Sequence, residues 1–90
     1  MALIFESLQC FSNQTSSITI HPPFAVFKNV DSQAQTAYLS TSSFGSPNNW
    51  PVQAGETLTI PVAVATTIYG YSEAAPDNGV QVRVMTDNGA

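Results

Sequence analysis

The chain has ninety residues, which is enough for one small domain. Only 9% of its side chains are charged, against roughly 25% in an average soluble protein. Two cations, Lys28 and Arg83, face six carboxylates and give a net charge of −4. Tracking a phosphate backbone or an anionic membrane requires clustered lysines and arginines, so this composition excludes nucleic-acid and membrane-surface partners.

A single cysteine, Cys10, cannot close a disulfide within the chain. No cation neighbours it in the sequence, so we expect a buried and unreactive thiol. Residues 1–11 lack the basic start of a secretory signal, and no apolar run is long enough to cross a bilayer. We therefore expect a soluble protein made in a reducing cytosol, with residues 1–90 forming one domain.

The first half of the chain is interpreted mainly as strands. Residues 1–11 fit either one face of a helix or an alternating strand, and the absence of a helix cap favours the extended form. We predict that residues 1–16 form an N-terminal arm or a first strand. Further strands are predicted at residues 17–20, 24–30 and 36–40.

The second half alternates more clearly. Residues 57–64 direct Leu58, Ile60, Val62 and Val64 to one face, and Pro61, which cannot donate a hydrogen bond, predicts an edge strand or a bulge. Residues 66–71 are β-branched and aromatic, and residues 79–85 direct three valines inward. Asn78-Gly79 suits a tight turn that needs positive φ. Residues 87–90 are predicted to be a polar tail.

Six or seven short strands separated by frequent turns predict an all-β protein. The expected architecture is a small antiparallel β-sandwich or barrel, with a β core over residues 17–86 and an extended N-terminal arm. A small domain without a disulfide or a metal site is marginal alone, so oligomerisation is an expected source of stability.

The sequence offers little for catalysis. One histidine, His21, and one cysteine provide neither a metal cluster nor a nucleophile–base pair. Glu56 and Glu73 lie beside turn residues, where solvated carboxylates are usual. We predict no enzyme activity, no catalytic residues, no cofactor and no metal.

Four aromatic residues, Phe44, Trp50, Tyr69 and Tyr71, support two interpretations. Such side chains stack on sugar rings in many carbohydrate-binding sites. They also fill protein cores and subunit contacts, and this second use is the commoner one. Core or interface packing is the favoured interpretation.

From Asn29 onward, the order of features resembles a class of small structural proteins of tailed bacteriophages. The resemblance rests on Ala37-Tyr38-Leu39, on the run Pro-x-x-Ala-Gly-Glu-x-Leu-Thr-Ile-Pro-Val at residues 51–62, on residues 67–71 and on residues 79–84. It covers about two-thirds of the chain. Residues 1–28 depart from the pattern and are the expected place for a segment that grips a capsid.

The resemblance implies a non-enzymatic virion protein assembled in the host cytoplasm. The first expectation is a capsid decoration (cement) protein, a homotrimer that binds and stabilises the shell of the major capsid protein. The alternatives are a minor head or tail fitting and a carbohydrate-binding module. The candidate capsid or subunit contacts are Leu3, Ile4, Phe5, Leu8, Phe11, Phe44, Trp50, Tyr69 and Tyr71.

Overall fold

Strands are the only regular secondary structure among the residues that the structure describes. The computed structural model describes residues 2–12, 14, 16–41, 50–73 and 79–89. Phe44 and Asn78 lie outside these residues. The strands are β1 (Leu3–Cys10), β2 (Ser16–Ile20), β3 (Phe24–Asn29), β4 (Ala37–Ser40), β5 (Trp50–Val52), β6 (Thr57–Pro61), β7 (Thr66–Tyr71) and β8 (Val80–Asp87).

The strands form two four-stranded antiparallel sheets. The first sheet has the order β1-β8-β3-β6, and the second has the order β2-β7-β4-β5. The two sheets enclose one apolar core, as expected when each sheet is apolar on a single face. The prediction of a small all-β sandwich is confirmed.

Successive side chains along each strand point alternately into the core and toward the outside. Val80, Val82 and Val84 point inward from β8, as their spacing predicts, and Phe27 from β3 is the largest fully buried side chain. The remaining buried apolar residues come from both sheets: Leu8, Cys10, Ile20, Ala25, Ala37, Leu39, Val52, Val62 and Ile68.

The two sheets pack tightly where Gly70 of β7 faces Leu8 and Cys10 of β1. A Cβ at Gly70 would lie 2.5 Å from Cys10 Sγ and 3.1 Å from Leu8 Cδ2, so only glycine fits at this position. Cys10 is completely buried there, and burial raises the pKa of its thiol to about 12. The predicted burial of Cys10 is confirmed.

Asn29 joins the two sheets by hydrogen bonds. It lies at the end of β3 with no exposed surface. Its Nδ2 donates to the carbonyls of Gln35 and Val52, both at 2.8 Å, and its Oδ1 accepts from the amide of Asp31 at 2.9 Å. Because Val52 belongs to β5, a satisfied buried amide fixes the first sheet to the second.

The N-terminal segment is a strand, and it does not project as an arm. All eight residues of β1 pair with β8, from Leu3 opposite Asp87 to Cys10 opposite Val80. The predicted polar tail also begins too early, because β8 continues to Asp87 and buries it. The Asp87 carboxylate accepts hydrogen bonds from the amides of Ala2 at 2.9 Å and Gly89 at 3.0 Å. This carboxylate binds the start of β1 to the end of β8.

The predictions for residues 50–64 need two corrections. The strand β5 was not predicted, because its three residues include a proline and show no alternation. The strand β6 ends at Pro61, and Val64 is 68% exposed instead of facing the core. Beyond Pro61 the amide of Val62 donates to the carbonyl of Pro23 at 3.0 Å, and the chain turns before β7. The edge position predicted from Pro61 is confirmed, since β6 pairs only with β3.

Candidate functional site

The outward-facing side of the first sheet carries the most exposed large apolar side chain in the described residues, Phe5, which is 77% exposed. Direct antiparallel partners share a face, so Phe5 lies beside Met85 of β8, and Met85 lies beside Val26 of β3. Leu3 precedes this row on β1 and is also exposed. The result is an apolar row across three rigid strands.

A polar row lies next to the apolar row, two residues away along each of the same strands. Ser7, Arg83 and Lys28 are consecutive cross-strand partners on β1, β8 and β3. Arg83 Nη1 donates to Ser7 Oγ at 2.7 Å. Both cations of the chain therefore lie side by side next to the apolar row.

The two rows line a shallow concavity of about 530 Å³. Glu6 also contributes to its rim, although Glu6 alternates onto the core-facing side of β1 and stays exposed at the sheet edge. We refer to the surface formed by Leu3, Phe5, Val26, Lys28, Arg83 and Met85 as the outer face. It combines exposed apolar area with positive charge in a chain that is otherwise acidic.

The candidate contacts predicted in the N-terminal segment separate between the two sides of β1. Leu3 and Phe5 belong to the outer face, whereas Ile4 is half-buried on the core-facing side. Leu8 is 2% exposed and is a core residue, so its prediction as a surface contact is wrong. Phe11 is half-buried and forms an isolated bridge with Tyr71. Only alternate residues of an edge strand reach a partner, because successive side chains point to opposite faces.

Of the predicted aromatic platform, the three members among the described residues, Trp50, Tyr69 and Tyr71, do not share one surface. Tyr69 and Tyr71 are half-buried on the outward side of the second sheet, beside Tyr38. Trp50 pairs with Leu39, whose side chain faces the core, so Trp50 points to the opposite side of that sheet from the tyrosines. Trp50 is 62% exposed at the edge, beside an apolar cleft of about 320 Å³ that includes Leu58.

The tyrosines form a smaller aromatic surface of their own. The rings of Tyr38 and Tyr71 have centroids 6.1 Å apart and an interplanar angle of 46°. Tyr38 also lines a polar cavity of about 320 Å³ together with Gln35, Ser72 and Glu73. Aromatic faces next to hydrogen-bonding groups are the usual elements of a sugar site, but this pair is tilted and half-buried.

The described part of the chain contains no group of three or more potential metal-ligating side chains. The His21 ring lies close to Gly89 at the end of the sandwich, and its backbone amide donates to Thr86 Oγ1 at 2.9 Å. Glu56 Oε1 accepts from the amide of Gln53 and thereby closes the turn before β6.

Sequence reasoning missed four residues of the outer face: Val26, Lys28, Arg83 and Met85. The alternation of residues 79–85 already directs Arg83 and Met85 outward. The sequence does not indicate that β8 pairs with both β1 and β3. This pairing places Arg83 and Met85 beside Phe5 and Lys28. Distant strand pairing has no local sequence signal.

Comparisons with protein-family models, with curated protein sequences and with solved structures find no significant match to this chain. No helix long and apolar enough to span a bilayer occurs among the residues described.

Proposed function

We propose that the chain is a structural protein of a tailed-bacteriophage particle, a decoration protein that binds the shell of the major capsid protein through the outer face. The observation that carries this proposal is the apolar row of Phe5, Met85 and Val26, in which Phe5 on the edge strand is 77% exposed, beside the two cations of the chain. Exposed apolar residues gathered on a rigid surface are typical of protein-binding sites. The proposal assigns the chain no enzymatic activity and no cofactor.

The sequence resemblance is the reason for assigning the chain to a tailed-bacteriophage particle. Its longest run, residues 51–62, covers most of β5, the turn at Gly55 and β6, and residues 79–84 form most of β8. These segments include the strand that centres the outer face. The resemblance and the outer face therefore share the strand β8.

Composition supports docking on a preformed shell. Uncharged serine, threonine, asparagine and glutamine side chains occupy 31 of the ninety positions. Neutral polar groups lose water at a contact at a smaller free-energy cost than unpaired charges. Such a surface keeps a small domain dissolved and can still be covered on binding.

Cosedimentation with capsids tests the proposal. The purified chain is mixed with expanded, DNA-free heads of the phage whose genome encodes it, and the pelleted protein is quantified. We expect saturable binding by the wild type and at least about tenfold weaker binding by Phe5→Ser, because a few large side chains carry most of the energy of an interface. Val64→Ser is the matched control, since Val64 is also an exposed apolar residue but does not line the concavity of the outer face.

Absence of wild-type binding to these heads would contradict the decoration role. Equal binding by wild type and Phe5→Ser would keep that role but remove the outer face from it. Copy number in the particle separates a decoration protein, which covers the shell, from a minor head or tail fitting. The proposed homotrimer is checked by light scattering, in which a mass of one 9.6-kDa chain would contradict it.

A second candidate, a carbohydrate-binding module, rests on the paired rings of Tyr38 and Tyr71 beside the polar cavity. The same purified chain can be applied to a glycan array together with a Tyr38→Ala variant. Glycan binding that disappears in Tyr38→Ala, with unchanged capsid binding, would favour this function for the second sheet.

A further inference from the structure

The charge distribution of the outer face carries information about its partner. Lys28 and Arg83 are direct cross-strand partners, and they are the only cations in a chain with six carboxylates. Like charges placed directly opposite one another on a sheet repel. A partner that supplies an anion at this point would remove the repulsion.

The carboxylates of the described residues do not neutralise this pair. No ion pair to Lys28 or Arg83 is formed within residues 2–12, 14, 16–41, 50–73 and 79–89, and Arg83 instead donates to the neutral hydroxyl of Ser7. Asp87 lies on the same face of β8, but four residues from Arg83, or about 13 Å along a strand. Its carboxylate is already occupied by the amides of Ala2 and Gly89.

The distance between the apolar row and the cationic row sets the distance between the apolar and acidic side chains that a partner must present. The apolar row containing Met85 and the cationic row containing Arg83 are two residues apart on β8, or about 7 Å. An extended polypeptide places residues i and i+2 on one side at this same spacing. The planar guanidinium of Arg83 suits a carboxylate, which it can bind through two parallel hydrogen bonds.

We propose that the outer face binds an extended protein segment that presents an acidic side chain two residues from a large apolar side chain. The carboxylate lies over Lys28 and Arg83, and the apolar side chain contacts Phe5, Met85 and Val26. This inference rests on the proposed function in assigning docking to the outer face, and it adds the chemistry of the capsid surface that is recognised.

A titration with defined peptides tests the inference by NMR. The probes are the blocked pentapeptides Phe-Thr-Glu-Thr-Phe and Phe-Thr-Gln-Thr-Phe, added at millimolar concentration to ¹⁵N-labelled full-length chain. We expect the Glu peptide to shift the amides of β1, β3 and β8 around the outer face, and the Gln peptide to bind about threefold more weakly or worse. Added salt should lower the affinity for the Glu peptide more than the affinity for the Gln peptide.

The double variant Arg83→Gln/Lys28→Gln should bind the two peptides equally, and each single variant should show a smaller preference than the wild type, while unchanged spectra elsewhere show that the variants fold. Val64→Ser should retain the wild-type preference. Equal wild-type affinity for both peptides, shifts away from the outer face, or no shift with either peptide would overturn the inference. Capsid binding without peptide preference would overturn only this inference, whereas peptide preference without capsid binding would overturn only the decoration role.

Discussion

At the scale of single residues, Asp87 is the carboxylate with the clearest structural role. The hydrogen bond from the Gly89 amide is the main cause that lowers the pKa of Asp87, and the Ala2 amide and the charge of His21 act in the same direction, against the effect of burial. The folded state therefore binds the ionised form more tightly than the unfolded state does. Asp87 thus couples the pairing of β1 and β8 to pH.

We predict that acid weakens the fold through this residue. A lowered pKa stabilises the folded protein fully above the ordinary value of 3.8, and the stabilisation is lost as pH falls through that value toward the folded pKa. Urea unfolding across this range should show a steeper loss of stability for the wild type than for Asp87→Asn. At neutral pH Asp87→Asn should be the less stable protein, because an amide cannot accept two hydrogen bonds from these two backbone groups as the carboxylate does.

Glu73→Gln is the charge-matched control for this comparison. It removes one negative charge from an exposed side chain outside the strands. If Glu73→Gln flattened the acid dependence as much as Asp87→Asn, the effect would belong to overall charge. The hydrogen bonds from Ala2 and Gly89 would then not be its source.

At the scale of strands and sheets, Asn29 is the polar connection between the two layers. We predict that Asn29→Asp lowers the free energy of unfolding by about 3 kcal/mol, because a carboxylate cannot donate to the carbonyls of Gln35 and Val52 and would leave them unpaired in the interior. Chemical denaturation measures the loss. Gln14→Glu makes the same amide-to-carboxylate change on an exposed side chain and should have little effect. Similar stability of both variants would contradict the role of Asn29.

The strands show what the sequence could and could not predict. A β-branched and aromatic composition was sufficient to predict β7, and alternation was sufficient for the inward valines of β8, whose two sides have different environments. It failed at Val64, where the pattern continues after Pro61 but the backbone turns away from β3. It also missed β5, whose three residues are strand only because β4 pairs with them.

The candidate site was predictable only in part for the same reason. Phe5 and Leu3 stand out as apolar residues in the sequence, and both reach the outer face. Their neighbours Met85 and Val26 come from strands 80 and 21 residues further along the chain. Long-range pairing is decided by the combined burial of both sheets, so the composition of a sheet face cannot be obtained from any one segment.

At the scale of the whole molecule, the strand orders of the described residues place β1, β6, β2 and β5 at the sheet edges, and three of these strands differ in features that discourage pairing. The edge strand β6 contains Pro61, which removes a hydrogen-bond donor, and β5 is short and contains Pro51. The edge strand β1 is eight residues long and has no proline. Its only charge is Glu6, on the core-facing side at the middle of the strand. An inward-pointing charge on an edge strand prevents another chain from pairing there, because pairing would bury it.

We predict that Glu6→Val causes self-association beyond the wild-type state, because it removes the only charged side chain of β1, the longest edge strand among the described residues. Light scattering over a range of protein concentrations should show a mass that rises above that of the wild type, with added β-sheet signal in the circular dichroism spectrum. Glu73→Val makes the same change in charge and apolarity at an exposed residue outside the strands, so it should retain the wild-type mass. Equal association of both variants would mean that net charge, and not the position of Glu6 on β1, keeps the molecules apart.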